Sequence, residues 1–253
     1  MKNELILAIS GNDIYSGGGL YADLTTYTVH AQHGFVAVTC LTAMTDKGFE
    51  VFATDTEVFR HQLNSLKDVP FSAIKIGLLP NVEIARLTLE FIQQHSEIPV
   101  ILDPVLVCKE THDVEVTALR EELFRLFPYA TIITPNLAEA QLLIQKDIKT
   151  LEDMKNAAQM LYDLGAKAVV IKGGNRFSES EAIDLFYDGE NDEVLRQPLL
   201  TSNNTGAGCT FASAITSFLA KGESLSQAIK QAKVFVYRAI QGADDYGVIQ
   251  YEQ

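Results

Sequence analysis

Apolar residues along this chain fall into short, dense runs separated by stretches in which they recur at helical spacing. The runs occupy residues 5–10, 35–42, 73–79, 99–105, 131–136, 168–174 and 183–188. Several are nearly continuous in Val, Ile and Leu, which is typical of strands buried on both faces of a parallel sheet. We therefore predict strands at these positions, most of them parallel and in one central sheet.

The intervening stretches predict helices near residues 19–31, 56–67, 81–95, 115–126 and 151–164, with two more after Cys209. The clearest, residues 151–164, has a capping box of Thr150 and Asp153 and a stop at Gly165. Alternating strands and helices predict an α/β fold, a three-layer α/β/α sandwich with a mostly parallel central sheet. Since no linker or repeat interrupts the pattern, we expect one domain over residues 1–253. The polar segment 106–114 is either a mobile flap over a site or a plain surface loop.

Composition narrows the classes of partner. The formal net charge of -13 disfavours binding to nucleic acid or to anionic membranes, so any phosphate must be held locally by amides, a few cations and a metal. Three unpaired cysteines, Cys40, Cys108 and Cys209, indicate a reducing compartment rather than a disulfide framework. The apolar run near the N-terminus is too short for a signal sequence or a membrane span, so we expect a cytoplasmic protein. The five histidines have no metal-binding spacing, and we predict no zinc site.

The segment Gly206-Ala207-Gly208-Cys209 opens a predicted amphipathic helix. Glycines let a ligand approach the backbone, and a helix N-terminus attracts negative charge, so the segment predicts an anion hole. A tight glycine turn packed on the sheet is the alternative. A thiol at a helix N-terminus is expected to have a lowered pKa and to act as a base or nucleophile, whereas the alternative for Cys209 is a small buried apolar residue.

Other candidate groups stand at strand ends, where ligands bind in open α/β sheets. Asp103 and Glu139 each follow a strand and are candidates for Mg²⁺, or else turn and capping residues. Lys172 precedes two glycines and suits a phosphate contact, unless it is simply solvated. The run YSGGG at residues 15–19 is not followed by Gly-Lys-Ser/Thr, which disfavours a Walker-type nucleotide site.

Taken together, the stretches GNDIYSGGGLYADL, LDPVLVCK, TPNLAEA, VIKGG and GAGCTFASAI resemble, in order and rough spacing, the ribokinase superfamily. They are most similar to its vitamin kinase branch, the pyridoxal/pyridoxine kinases and hydroxymethylpyrimidine (phosphate) kinases. The resemblance covers nearly the whole chain. It implies ATP, Mg²⁺, transfer of the γ-phosphoryl group to a hydroxymethyl group on a heteroaromatic ring, and frequent assembly as a homodimer.

The resemblance also implies a role for each matching position. It assigns the anion hole to Gly206, Ala207 and Gly208, the catalytic thiol to Cys209, and a phosphate contact to Lys172. Asn136 and Glu139 fall in the nucleotide–magnesium motif, with Asp103 as a second magnesium-region acid. The positions implied to face the substrate are Gly18, Asp23, Met44, Val105, Cys108 and Cys209.

Two of these positions bear on the substrate. Hydroxymethylpyrimidine kinases usually have Gln where this chain has Met44, and Cys108 resembles the flap of bacterial pyridoxal kinases. Both favour a small-molecule substrate of the B6 type, so the leading hypothesis is an ATP-dependent pyridoxal, pyridoxine or pyridoxamine kinase of vitamin B6 salvage. The alternatives are a hydroxymethylpyrimidine (phosphate) kinase of thiamine biosynthesis, or a catalytically impaired B6-binding protein. The last is motivated by Thr205, which stands where many relatives have His, and by the altered residues 14–16.

Overall fold

Nine strands and eight α-helices make up the computed structural model, which describes residues 4–106 and 113–250. The strands are β1 (Leu5–Asn12), β2 (His33–Thr45), β3 (Gly48–Ala53), β4 (Ala73–Ile76), β5 (Val100–Leu102), β6 (Ile132–Ile133), β7 (Val169–Lys172), β8 (Glu181–Tyr187) and β9 (Asp192–Pro198). The helices are α1 (Gly19–Val29), α2 (Thr56–Leu66), α3 (Val82–Gln93), α4 (Asp113–Leu126), α5 (Leu137–Ile144), α6 (Leu151–Asp163), α7 (Ala207–Ala220) and α8 (Leu225–Gln241). A 3₁₀ turn, Phe127–Tyr129, follows α4.

All nine strands belong to one sheet in the order β3-β2-β1-β4-β5-β6-β7-β8-β9. Neighbouring strands from β2 across to β7 are parallel, whereas β3 at one edge and β8 and β9 at the other pair antiparallel. The predicted α/β architecture with a mostly parallel central sheet is thereby confirmed.

Side chains alternate across the sheet, and this alternation separates two helical layers. Leu7 and Ile9 of β1 pack into a large core that also contains buried residues of α2, α3, α5 and α6. Ile6 and Ala8 face the opposite side with α1, and Ile101 and Val170 face that side with α7 and α8. The layer of α1, α7 and α8 is the one that carries the candidate chemistry, because α7 begins at the glycine-rich segment.

The predicted helix boundaries hold closely. Thr150 Oγ1 accepts a hydrogen bond from Asp153 N at 3.1 Å, the Asp153 carboxylate accepts one from Thr150 N at 2.9 Å, and Gly165 beyond the helix has φ +113°. Among the described residues, no helix combines the length and apolarity needed to cross a bilayer. Most of the proposed flap, residues 107–112, lies outside the described part of the chain.

Three elements were absent from the prediction. Strands β3 and β9 lie at the sheet edges and mix charged residues with half-exposed apolar ones, so they lack the continuous apolar run of a buried strand. Helix α5 has only 8 residues and begins immediately after the short β6 and its cap, so its periodicity is too brief to recognise. Several predicted strands are also shorter, because the residues at their carboxyl ends leave the sheet to form the site.

Candidate active site

The first turn of α7 lies against the loop that precedes α1. Gly206 is the N-cap with φ +83°, and a Cβ at this position would overlap the carbonyl oxygen of Gly17. Ala207 N donates to the Asn204 carbonyl at 3.0 Å, and Thr210 N closes the turn on the Gly206 carbonyl at 2.9 Å. Only glycine at 206 therefore allows the two loops to meet.

One of the three residues assigned to the anion hole has its amide engaged within the protein. Because the Ala207 amide is already bonded to Asn204, it does not point freely at a ligand. Within the described chain, the amides of Gly208 and Cys209 have no hydrogen-bond acceptor, as expected for the first turn of a helix. These two N–H groups, together with the positive end of α7, form the anion-binding element.

Lys172 places a cation beside that helix terminus. Its ammonium lies 2.7 Å from Asp103 Oδ1, and a Cβ on Gly208 would be 3.1 Å from Lys172 Nζ. Burial alone would lower the pKa of Lys172, but Asp103 and Glu139 outweigh burial and raise it. Lys172 is therefore charged at the mouth of the anion-binding element.

Two carboxylates lie behind Lys172. Asp103 is buried, and its Oδ1 also accepts a hydrogen bond from Thr134 Oγ1 at 3.0 Å. Glu139 forms a capping box with Asn136, whose backbone N–H donates to Glu139 Oε2 at 2.7 Å while Asn136 Oδ1 accepts from Glu139 N at 2.9 Å. Asn136 thus holds the Glu139 carboxylate at the start of α5, in addition to lining the cleft described below.

The charge balance of these groups fits a divalent cation. Burial and the Asp103 carboxylate raise the pKa of Glu139 to about 7, although Lys172 and backbone N–H groups act in the opposite direction. Lys172 offsets one negative charge of the ionised pair, and Mg²⁺ would offset the other. Residues 4–106 and 113–250 contain no group of three or more His, Cys, Asp or Glu residues that could hold a metal ion.

A cleft of about 480 Å³ opens on one side of the α7 terminus. Lys172, Gly208 and Asn136 line this cleft, together with residues of β8, β9 and α8 and the loops that follow β7 and β9. Asp184 on β8 fixes one wall, because its carboxylate accepts from Gly173 N at 3.0 Å and from Lys233 Nζ at 2.5 Å. This volume is ordinary for a small-molecule site.

Cys209 lies on the other side of the terminus, outside the lining of the cleft. A Cβ on Gly18 would be 3.7 Å from Cys209 Sγ, so Gly18 and the thiol adjoin as expected. The predicted lowering of the thiol pKa is wrong in this structure. Burial raises the pKa of Cys209, Asp103 and Asp23 add to that rise, and Lys75 and the Gly19 N–H only partly offset it.

The Asp23 carboxylate is fully buried, where it accepts from Lys75 Nζ at 2.9 and 3.0 Å and from Ser213 Oγ at 2.6 Å. The side chain that the resemblance assigns to the substrate ring thus forms a buried ion pair in this structure. The reason is the direction of the side chain, which points from α1 into the sheet rather than toward the loop.

Two of the other implied substrate positions, Met44 and Val105, lie within the described residues. Met44 is 53% exposed, and it shares a strand face with Thr42, whose Oγ1 accepts from Ile14 N at 3.0 Å. Val105 N donates to the Asp103 carbonyl at 2.8 Å, which holds Val105 next to the acidic pair. Cys108 lies outside the described residues.

Sequence reasoning missed three site residues: Lys75, Ser213 and Asp184. For Lys75 and Asp184 a signal was available, because each is a charged residue within an otherwise apolar strand run, AIKI and AIDLFY. A charged residue at such a position is buried and must find a partner. Ser213 left no signal, since a serine on an apolar helix face is unremarkable.

Comparison with known proteins places this geometry in context. The family profile described as phosphomethylpyrimidine kinase matches residues 13–251. A pyridoxine kinase of Bacillus subtilis (strain 168) is 41% identical over 250 residues, covering 95% of this chain and 91% of that protein. A hydroxymethylpyrimidine/phosphomethylpyrimidine kinase of Aquifex aeolicus is 35% identical and covers 96% of each. The structure of Staphylococcus aureus pyridoxal kinase in complex with AMP-PCP and pyridoxal has a TM-score of 0.90 at 34% identity, covering 99% of this chain and 94% of that one.

Proposed function

Because the chain belongs to the phosphomethylpyrimidine kinase family, we propose that it transfers the γ-phosphoryl group of ATP to the hydroxymethyl group of a B6 vitamer: pyridoxal, pyridoxine or pyridoxamine. One observation carries the proposal. The start of α7 separates a cleft containing Lys172 and Gly208 from the Cys209 thiol beside Gly18. A phosphoryl donor bound in the cleft and an acceptor hydroxyl bound beside the thiol would then approach each other next to the free amides of Gly208 and Cys209.

Different residues contribute to phosphoryl transfer in different ways, because this reaction depends on positioning and charge stabilisation. The amides of Gly208 and Cys209 and the Lys172 ammonium hold the oxygens of the transferring group. Asp103 and Glu139 would hold Mg²⁺, which when bound neutralises charge on the phosphates. The capping box at Asn136 fixes the direction of the Glu139 carboxylate.

Cys209 Sγ is placed to take the proton of the acceptor hydroxyl as its oxygen bonds to the γ-phosphorus and the bond to ADP breaks. The raised pKa means that the thiol is protonated in the absence of ligands. Only the thiolate can accept the proton, so the step uses the fraction of protein in which Cys209 is ionised. Thr205 is exposed and bonded to Asn203, and it has no group able to take the thiol proton.

A hydroxymethylpyrimidine substrate is the second candidate, favoured by the 35% identical Aquifex relative. Met44 argues for the B6 vitamer, because a thioether cannot hydrogen-bond the ring nitrogen and amino group of an aminopyrimidine. The test is ADP release with pyridoxal, pyridoxine, pyridoxamine and hydroxymethylpyrimidine in parallel. We expect the highest kcat/KM for a B6 vitamer. A preference for hydroxymethylpyrimidine would reverse the assignment, and tight B6 binding without ADP release would indicate an impaired binding protein.

We also infer that residues 1–253 act as one kinase domain and assemble as a homodimer. The single nine-stranded sheet supports the first inference. The second rests on the β2–β3 hairpin, where the cross-strand pair Leu41–Phe52 is about half exposed at the sheet edge, on the face opposite Met44. A second copy would cover this apolar edge. Light scattering of the intact protein is expected to give twice the chain mass, and Phe52→Glu is expected to give the monomer.

A further inference from the structure

Lys75 is a fully buried cation in the middle of the parallel sheet. It lies in β4 between Ile74 and Ile76, both of which face the core formed with α2 and α3. The alternation of the strand therefore directs Lys75 to the opposite face, toward α1 and α7. A lysine with 0% exposure is rare unless it is paired.

The surroundings of Lys75 are built for its ammonium. Both carboxylate oxygens of Asp23 accept from Nζ, and Ser213 Oγ donates to the same carboxylate at 2.6 Å. A Cβ on Gly77 would be only 2.8 Å from Nζ and would strike Ser10 as well. Strands, helix α1 and helix α7 thus all contribute to one buried cluster.

Stability alone does not account for this cluster. Removing two charges from water costs several kcal/mol each, and apolar residues of similar volume are often equally or more stabilising. The pair instead lies next to the reacting thiol. Ser213 follows Cys209 by four residues, so the two lie one turn apart on the same face of α7, about 5–6 Å between their Cβ atoms.

The charged and titratable groups facing Cys209 come from every element around it. Lys75 of β4 favours its ionised form, and Asp23 of α1 and Asp103 after β5 oppose it. Lys172 of β7 and Tyr27 of α1 also interact with the thiol electrostatically. Lys75 is the largest of the influences that favour the thiolate.

We propose that the Asp23–Lys75 pair is a positioning unit for Cys209, in which Lys75 stabilises the thiolate through the protein interior and Asp23 holds the Lys75 ammonium in place. The proposal deepens the proposed function and rests on the base role of Cys209. In this proposal the positive charge that stabilises the Cys209 thiolate comes from the buried Lys75. Thr205, just before α7, is uncharged and cannot supply it.

The test measures ionisation rather than turnover. In a Cys40→Ala/Cys108→Ser background, Cys209 is the one remaining thiol, and its rate of alkylation by iodoacetamide reports its thiolate fraction. The double variant Lys75→Met/Asp23→Asn removes both charges and leaves none buried. We expect slower alkylation at pH 8, by less than the roughly tenfold expected for the loss of Lys75 alone, because the double variant also loses the opposing charge of Asp23. The deficit should vanish toward high pH, where both proteins are ionised.

Two further variants separate electrostatics from packing. Lys75→Met alone leaves Asp23 without a cation, so its alkylation should be at least as slow as that of the double variant. Ser213→Ala loses a hydrogen bond in the same cluster but keeps both charges, so its rate should stay close to that of the parent. Thermal unfolding shows whether each variant is folded. If Lys75→Met is not folded, the comparison of the parent with the charge-free double variant tests the proposal.

Equal rates for parent and double variant at pH 8 would overturn the proposal. So would a deficit that persists unchanged at high pH, because that would reflect access to the thiol rather than its ionisation. The ADP-release assay is independent of this result. A protein without kinase activity that still showed the pH-dependent deficit would refute the proposed function and leave the electrostatic unit standing.

Discussion

Replacing Glu139 with Gln should make the metal-free protein more stable at neutral and alkaline pH. Glu139 is buried, and its carboxyl group lies near Asp103. Its pKa in the folded protein is about 7, against an ordinary value of 4.5 in an unfolded chain. Between these two values the folded state binds more protons than the unfolded state, so the stability of the wild type falls as pH rises through this window.

The magnitude follows from the same two values. Their separation corresponds to about 3 kcal/mol of unfolding free energy, lost progressively between about pH 4.5 and pH 7. Gln resembles the neutral carboxyl group and does not titrate. The stability of Glu139→Gln relative to wild type should therefore rise by about 3 kcal/mol between pH 4.5 and pH 8.

Denaturant unfolding in metal-free buffer at several pH values measures this difference, in which the titration of groups that do not interact with Glu139 cancels. Glu122→Gln is the matched control. Glu122 is equally buried but paired with Arg86 at 3.0 Å and Arg125 at 2.7 Å, so its loss should destabilise the protein at pH 8. Added Mg²⁺ at pH 8 should stabilise the wild type and not Glu139→Gln. A difference between wild type and Glu139→Gln that did not change with pH would refute the reasoning.

Further expectations concern the residues around the α7 terminus. Lys172→Met should lower kcat on the order of 10²-fold at saturating ATP, measured by ADP release; an unchanged kcat would remove Lys172 from the phosphoryl site. Cys209→Ala should lower kcat by about 10²–10⁴-fold with ATP affinity nearly intact, and Cys209→Asp should retain more activity than Cys209→Ala. Equal activities of the wild type and Cys209→Ala would make Cys209 a packing residue. Met44→Gln should shift the kcat/KM ratio about tenfold toward hydroxymethylpyrimidine, and an unchanged ratio would mean that residue 44 does not face the ring. Gly206→Ala should reduce both thermal stability and activity, because its Cβ would overlap Gly17; wild-type values for both would contradict the loop contact.

Local patterns were sufficient for the parallel half of the fold. A strand buried on both faces must be apolar nearly throughout. The sequence therefore shows continuous apolar runs at β1, β4, β5 and β7. Helix ends are equally local, since the Thr150–Asp153 capping box and Gly165 act within a few residues. The glycines at 206 and 208 likewise indicated a close backbone approach before any partner was known.

Side-chain direction and charge balance were decided only by the folded chain. Asp23 was expected to contact a substrate, but α1 turns its carboxylate inward to Lys75, which is 52 residues away in sequence. The Cys209 pKa rises rather than falls, because burial and two carboxylates outweigh Lys75 and the Gly19 N–H. Likewise, Glu139 acquires its pKa near 7 from burial and, to a lesser degree, from Asp103 across the sheet edge. A helix terminus acts on its own first turn and is visible in sequence, whereas desolvation and charge act through space and depend on which distant strands the sheet brings together.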